Sequence, residues 1–286
     1  MTQGFIAGLV QMRSGRSVRE NVEQASRLIR EAAGRGASYV QTPEMTTLLT
    51  RSRDELAEAA DPAATEEALA RFRSLAGELG IWLHIGSMAV SLPGAERMAN
   101  RAFVIGPDGT LRASYDKIHM FDVDLPNGES WRESRTYQPG ESAALVDLPW
   151  GRLGLSICYD LRFATLFRAL AERGADFLTV PAAFTRQTGE AHWHVLLRAR
   201  AIETGTFVLA AAQGGTHEDG RQTYGHSLIV DPWGRIVAEA EGDNPCVVTV
   251  RIDPAQVQEA RKRIPVLEHG RRFALPESGA MKDPAQ

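Results

Sequence analysis

The first forty residues constrain the fold more than any other stretch. Phe5-Ile6-Ala7-Gly8-Leu9-Val10 is a short apolar, β-leaning run. Ser17-x-x-Glu20 follows as a capping box, in which each side chain can satisfy the other residue's backbone N–H. Val18, Val22, Ala25, Ile29 and Ala32 then recur at spacings of four and three, one apolar face of a helix. Gly34 and Gly36 stop that helix, and residues 37–41 read as a second strand. This is a βαβ unit, and it points to the α/β class. It also leaves Glu44, in Thr42-Pro43-Glu44, just past the carboxyl end of the second strand.

The rest of the chain continues the alternation. A helix over 64–79 is opened by Asp61-Pro62 and closed by Gly80. A strand over 81–87 leads to a hairpin, 101–106 with 111–115, turning at Pro107-Asp108-Gly109. Residues 117–140 are irregular, and loops that long are usually functional or disordered. This one holds Lys117, His119, Glu129, Trp131 and Glu133, so it is expected to be ordered over a site. Strands over 143–148 and 152–157 reach Cys158. A helix over 164–173, a strand over 177–180, a helix over 190–204 and a strand over 206–212 come next. A hairpin (226–230 with 235–240), a strand over 246–252 and a short helix from Pro254 complete the pattern. No linker, internal repeat or low-complexity segment interrupts it, so residues 1–275 are expected to form a single domain. The tail, 264–286, has little periodicity; it either frays or docks on a partner subunit as an arm.

Composition removes several classes of function. The net charge of −4, from 32 basic and 36 acidic residues, offers no footprint for nucleic acid. The two cysteines, Cys158 and Cys246, are too few for a disulfide framework or a cysteine-rich zinc site. The six-residue apolar run at the amino terminus is too short for a secretory leader, and no run approaches the roughly 18 to 20 apolar residues of a membrane span. A reducing, cytoplasmic setting is the expectation. His192 and His194 suggest a metal, but residues two apart on a helix point in different directions, so no metal or other cofactor is expected.

Three reactive side chains sit at element ends: Glu44 after a strand, Lys117 at the start of the long loop, and Cys158 where a strand gives way to a helix start. In α/β sheets such ends gather on one side. A helix amino terminus favours thiolate. A carboxylate beside a thiol can take its proton and return it to a leaving amine, while an ammonium faces the oxyanion of a tetrahedral intermediate. The Tyr159 N–H, next after the thiol, is a second oxyanion donor. Taken singly, each residue also has an ordinary reading: a solvated loop glutamate, a surface lysine, a small core cysteine.

The words around the three residues decide between these readings. Thr42-Pro43-Glu44-Met45, Tyr115-Asp116-Lys117-Ile118-His119-Met120-Phe121-Asp122 and Ile157-Cys158-Tyr159-Asp160-Leu161-Arg162-Phe163 resemble, in order, the signature segments of the nitrilase superfamily of carbon–nitrogen hydrolases. The resemblance covers residues 4 to 275. It implies an αββα sandwich that pairs into homodimers, a Glu44-Lys117-Cys158 triad, and Glu133 as a second active-site glutamate.

Within that superfamily the chain is most similar to the Nit-type amidases. Ala191-His192-Trp193, Arg200-Ala201-Ile202-Glu203-Thr204, Tyr224-Gly225-His226-Ser227 and Asp231-Pro232-Trp233-Gly234 carry the likeness. Gly189-Glu190 stands where a Gly-Pro is typical. The resemblance implies hydrolysis of the amide of an α-keto acid, with deaminated glutathione favoured over α-ketoglutaramate, the substrate of ω-amidase, and over a carbamoyl substrate. A keto acid has a carboxylate, and Arg162 is the candidate to bind it, unless it forms a structural ion pair with Asp160 or a nearby acid. Phe184 and Thr185, in a loop after a strand, are candidates to shape the pocket, with core packing the other reading of Phe184. A protein of another class, a redox sensor or binding protein using Cys158 as an oxidisable thiol, is the rival.

Overall fold

A computed structural model describes residues 4–126 and 128–274. β1 (Phe5–Gln11), α1 (Val18–Gly34) and β2 (Tyr39–Gln41) are the expected βαβ unit, with the strands parallel and Ala7 beside Tyr39. Ser17 accepts from the Glu20 N–H, one half of the expected capping box. Gly8 lets α1 approach β1, since a Cβ there would stand 3.1 Å from that of Ala32 and 3.2 Å from that of Ala37. A short helix not foreseen from the sequence, α2 (Arg53–Ala59), precedes α3 (Pro62–Leu79). Ser52 and Asp61 cap the two. β3 (Trp82–Val90), β4 (Ala99–Ile105) and β5 (Leu111–Asp116) follow.

The long irregular stretch contains a small antiparallel ribbon of β6 (Asp122–Asp124) and β7 (Ser130–Arg132). Then come β8 (Leu145–Leu148), β9 (Gly151–Gly154), α4 (Ala164–Glu172), β10 (Ala175–Thr179) and α5 (Arg186–Thr204). α5 starts a full turn before residue 190. Gly189 lies inside it because the Tyr224 side chain occupies the space a Cβ would fill. β11 (Phe207–Ala210) leads to a second ribbon, β12 (Gly214–Thr216) with β13 (Gln222–Tyr224). β14 (Leu228–Val230), β15 (Ile236–Glu239), β16 (Cys246–Ile252) and α6 (Ala255–Arg263) complete the described elements.

Two six-stranded sheets result, ordered β16-β1-β2-β3-β4-β5 and β8-β9-β10-β11-β14-β15. Read in that direction, both have the same sense of pairing at every step: antiparallel, parallel, parallel, antiparallel, antiparallel. The chain thus repeats one topology although no repeat shows in its sequence.

The sheets face each other. Ala7, Leu9, Tyr39 and Val104 of one join Leu153, Phe177, Val208 and Ile229 of the other in one core. On the outer face of the first sheet, Val10, Val40 and Leu83 pack with Val22, Ile29, Leu69 and Phe72 of α1 and α3. Phe167, Trp193 and Leu197 of α4 and α5 cover the second. The architecture is therefore a mixed α/β sandwich, αββα, as expected. Beyond α6 the chain is irregular, and the Arg168 guanidinium donates to the Val266 and Leu267 carbonyls. Val266 and Leu267 therefore touch α4 of their own chain. Residues 275–286 of the proposed arm lie outside the described residues.

Candidate active site

The site forms where corresponding strands of the two sheets end. Glu44 follows β2, and Pro181 to Thr185 follow β10, its counterpart. Cys158 follows β9. The fold brings Glu44, Lys117, Glu133 and Cys158 together, all lining one cavity of about 250 Å³. Tyr159, Phe184 and Thr185 line it as well. Arg162 does not: its guanidinium lies over the rings of Tyr159 (5.8 Å) and Phe184 (5.3 Å), and its Nη1 is 3.3 Å from His192 Nδ1. Nor do the ion pairs among the described residues include one from Arg162 to Asp160 or another acid, the foreseen rival, and Asp160 is committed elsewhere.

Asp160 is buried and accepts from the Tyr115 hydroxyl (2.8 Å), the His119 N–H (3.0 Å) and the Ile157 N–H (2.9 Å). One carboxylate thereby ties the loop that carries Lys117 to the turn that carries Cys158. Cys158 opens a five-residue 3₁₀ helix, Cys158–Arg162, with φ +49°. That left-handed conformation costs a non-glycine residue about 1–2 kcal/mol. Its N–H donates to the Pro181 carbonyl at 2.9 Å, which holds the turn in place. The first bond of the turn runs from the Asp160 N–H to the Ile157 carbonyl. The Tyr159 N–H precedes it and lies outside the helical ladder.

Lys117 sits at the end of β5, 2% exposed, between two carboxylates. Its Nζ donates to Glu44 Oε1 at 2.8 Å and to Glu133 Oε1 and Oε2 at 2.8 and 2.9 Å. Glu44 Oε1 also accepts from Asn100 Nδ2 (2.9 Å), and Oε2 from the Ala183 N–H (2.8 Å). Glu133 accepts from the Phe121 N–H at 2.7 Å. Asn100, which donates to Glu133 as well at 3.3 Å, was not foreseen. The available signal was weak: an asparagine beside Arg101 at the start of a strand that is otherwise apolar.

Electrostatics sets the resting protonation. Burial alone would lower the Lys117 pKa, but Glu133 and Glu44 reverse this and hold the ammonium charged. Burial would raise Glu44, yet Lys117 and a hydrogen bond with Cys158 bring it below the usual carboxylate value. Glu133 is pushed up by burial and by the charge of Glu44. The Cys158 thiol is pushed up by burial and by Glu44. This runs against the expectation of a thiolate favoured by a helix terminus: burial and the Glu44 charge push the thiol up, while Glu44 itself is held below the usual carboxylate value.

A further cluster unites residues that the sequence reading kept apart. Glu239 Oε1 meets His194 Nε2 and His226 Nδ1, each at 2.9 Å. The ligand atoms of these three residues lie within 4.8 Å of one another, close enough to hold a metal ion. Testing His194 only against its helical neighbour His192 missed two partners from the distant β14–β15 region.

Two mixed sheets layered between helices, with a thiol, an ammonium and two carboxylates packed at matching strand ends, define a nitrilase-superfamily sandwich. The chain belongs to the carbon–nitrogen hydrolase family, whose model matches residues 6–262. It is 42% identical over 271 residues to deaminated glutathione amidase of Yersinia enterocolitica, covering 92% of each chain. Among solved structures it matches the Caenorhabditis elegans NitFhit protein with TM-score 0.89 and 38% identity, covering 95% of this chain and 66% of that one. It also matches Nit3 of Saccharomyces cerevisiae, a member of branch 10 of the nitrilase superfamily, with TM-score 0.82 and 29% identity over 92% of this chain and 95% of that one.

Proposed function

We propose that this protein is a thiol-dependent amidase that hydrolyses the amide of an α-keto acid, with deaminated glutathione as its substrate. The observation that carries the chemistry is the buried Glu44-Lys117-Glu133 network around the Cys158 thiol. Glu44 takes the thiol proton as Cys158 Sγ bonds to the amide carbonyl carbon. The oxyanion is met by the Lys117 ammonium and the Tyr159 N–H. Glu44 passes its proton to the leaving nitrogen, the carbon–nitrogen bond breaks, and an acyl thioester remains on Cys158. Glu44 then deprotonates a water that attacks the thioester, and the thiol is restored as the acid departs. Glu133, with both oxygens on Lys117, positions that ammonium.

The substrate assignment is supported by relatives named deaminated glutathione amidase, among them the human one at 38% identity. Residues 1–275 act as one domain in this reading. Homodimerisation and a cytoplasmic location belong to it as well. Among the described residues no helix is long and apolar enough to cross a membrane.

Cys158→Ala tests the mechanism. The purified variant is expected to release no product from deaminated glutathione. Turnover that survives the substitution overturns the mechanism, and an acyl adduct trapped on Cys158 and seen by mass spectrometry supports it.

A further inference from the structure

Four cations line the cavity: Arg51, Lys117, Arg132 and Arg221. Two are already neutralised at short range. Lys117 is held by Glu44 and Glu133, and Arg132 Nη2 donates to both oxygens of Asp124 at 2.9 Å. The other two are not. The ion pairs among the described residues include none to Arg51. Arg221 has only a long pair, 3.6 Å from Asp219, although its side chain is just 16% exposed. Neither the buried Arg221 Nε nor the buried Asp219 Oδ2 has a hydrogen-bond partner.

Both guanidiniums pack against one ring. Arg51 lies 4.7 Å and Arg221 4.6 Å from the centre of Trp131, whose indole N–H donates to Glu129 at 3.2 Å. Stacking on an aromatic face stabilises a guanidinium while leaving its N–H edge able to bind a carboxylate in bidentate fashion. The two like charges oppose each other, and Arg221 is further disfavoured by burial. An anion placed between them relieves both effects.

We infer that Arg51 and Arg221, stacked on Trp131, form a clamp for a carboxylate on the leaving half of the substrate. The inference rests on the amidase reading above and deepens it. Its polarity follows from Glu44: the group that protonates the leaving nitrogen defines the side on which that half lies. Arg51 and Arg221 line the same cavity as Glu44. Deaminated glutathione releases cysteinylglycine, which ends in a carboxylate. α-Ketoglutaramate releases ammonia and has nothing to place there. The clamp is thus a specificity device that separates a peptide-like amide from a primary one.

The test is a calorimetric titration of the Cys158→Ala protein, in which turnover is blocked. The ligands are deaminated glutathione and the same compound with its terminal carboxyl capped as a primary amide. The free acid is expected to bind about tenfold to a hundredfold more tightly, the usual range for hydrogen bonds to a charged group. Adding Arg51→Gln or Arg221→Gln should reduce that preference to within about threefold. Arg51 is exposed, so its variant reports on the clamp even if loss of Arg221 disturbs folding. Absence of a preference in the Cys158→Ala protein, or a preference that survives both substitutions, overturns the clamp. Turnover of deaminated glutathione by the unmodified protein reads the amidase proposal separately, and failure there leaves the titration interpretable.

Discussion

Mild acid should destabilise this protein through a histidine buried between its sheets. His84 on β3 is completely buried, on the face of the first sheet that meets the second. Its Nδ1 is 3.1 Å from the Tyr39 hydroxyl, which is 3.3 Å from Gln41 Oε1. The Gln41 amide in turn donates to the Leu209 carbonyl of the opposite sheet at 3.3 Å. This order of donors fits an imidazole protonated on Nδ1. Nε2 has no partner, so a second proton would place an uncompensated charge between the sheets.

Burial lowers the His84 pKa from 6.5 to about 3. As pH falls through about 6.5 the unfolded chain takes up a proton that the folded protein refuses until about 3. Unfolding therefore binds a proton in that window, and stability drops as pH falls. Each unit within it is worth about 1.4 kcal/mol, so going from pH 7 to pH 5 should remove about 2 kcal/mol. Urea unfolding of wild type and His84→Gln at both pH values isolates the contribution, because other titrating groups are common to the two. The variant is expected to be less stable at pH 7, with the gap narrowing by about 2 kcal/mol at pH 5. Parallel losses in the two proteins would show that His84 is hydrated or already protonated in the fold.

Lys117→Met should leave Glu44 and Glu133 buried without their shared cation, at a cost of about 3–5 kcal/mol near neutrality. Both carboxyls would then have folded pKa values above their unfolded ones. Relative to wild type at the same pH, which shares the loss through His84, the variant should regain stability as pH is lowered toward 5, and a gap that stays constant or widens refutes the charge assignment. Gly86→Ala would drive a Cβ into the Thr42 and Pro43 carbonyls and the Pro181 ring, the backbone that leads into Glu44 and away from β10. A loss of about 1–3 kcal/mol in thermal unfolding, together with reduced turnover, is expected, and an unchanged Tm would mean the strand crossing has slack.

What could be read from the sequence, and what could not, divides by the range of the interactions. The βαβ unit was legible because its signals are local: the Ser17 cap, the 3.6-residue period of Val22, Ala25 and Ile29, and the stop at Gly34–Gly36. The two ribbons were not, because three-residue strands such as Asp122–Asp124 and Gln222–Tyr224 have too few residues to show a period. The start of α5 at Arg186 rather than residue 190 was missed for a related reason: what accounts for Gly189 inside the helix is a ring 35 positions later, at Tyr224. Glu44, Lys117, Glu133 and Cys158 were singled out because recognisable words surround them, and the fold does bring them together. Their relative acidities were not legible, since these depend on burial and on neighbours tens of residues away. That is why the Cys158 thiol, expected to lean toward thiolate, is pushed the other way. Arg162 shows the same limit from the other side. Four residues past the thiol, it looked like the carboxylate ligand, yet its guanidinium spends its reach on Tyr159, Phe184 and His192. Arg51 and Arg221 gave no local sign at all. Only where Trp131 gathers both does a pair of cations without close counter-ions appear, and an incomplete charge pattern of that kind is a better guide to a ligand than proximity in the chain.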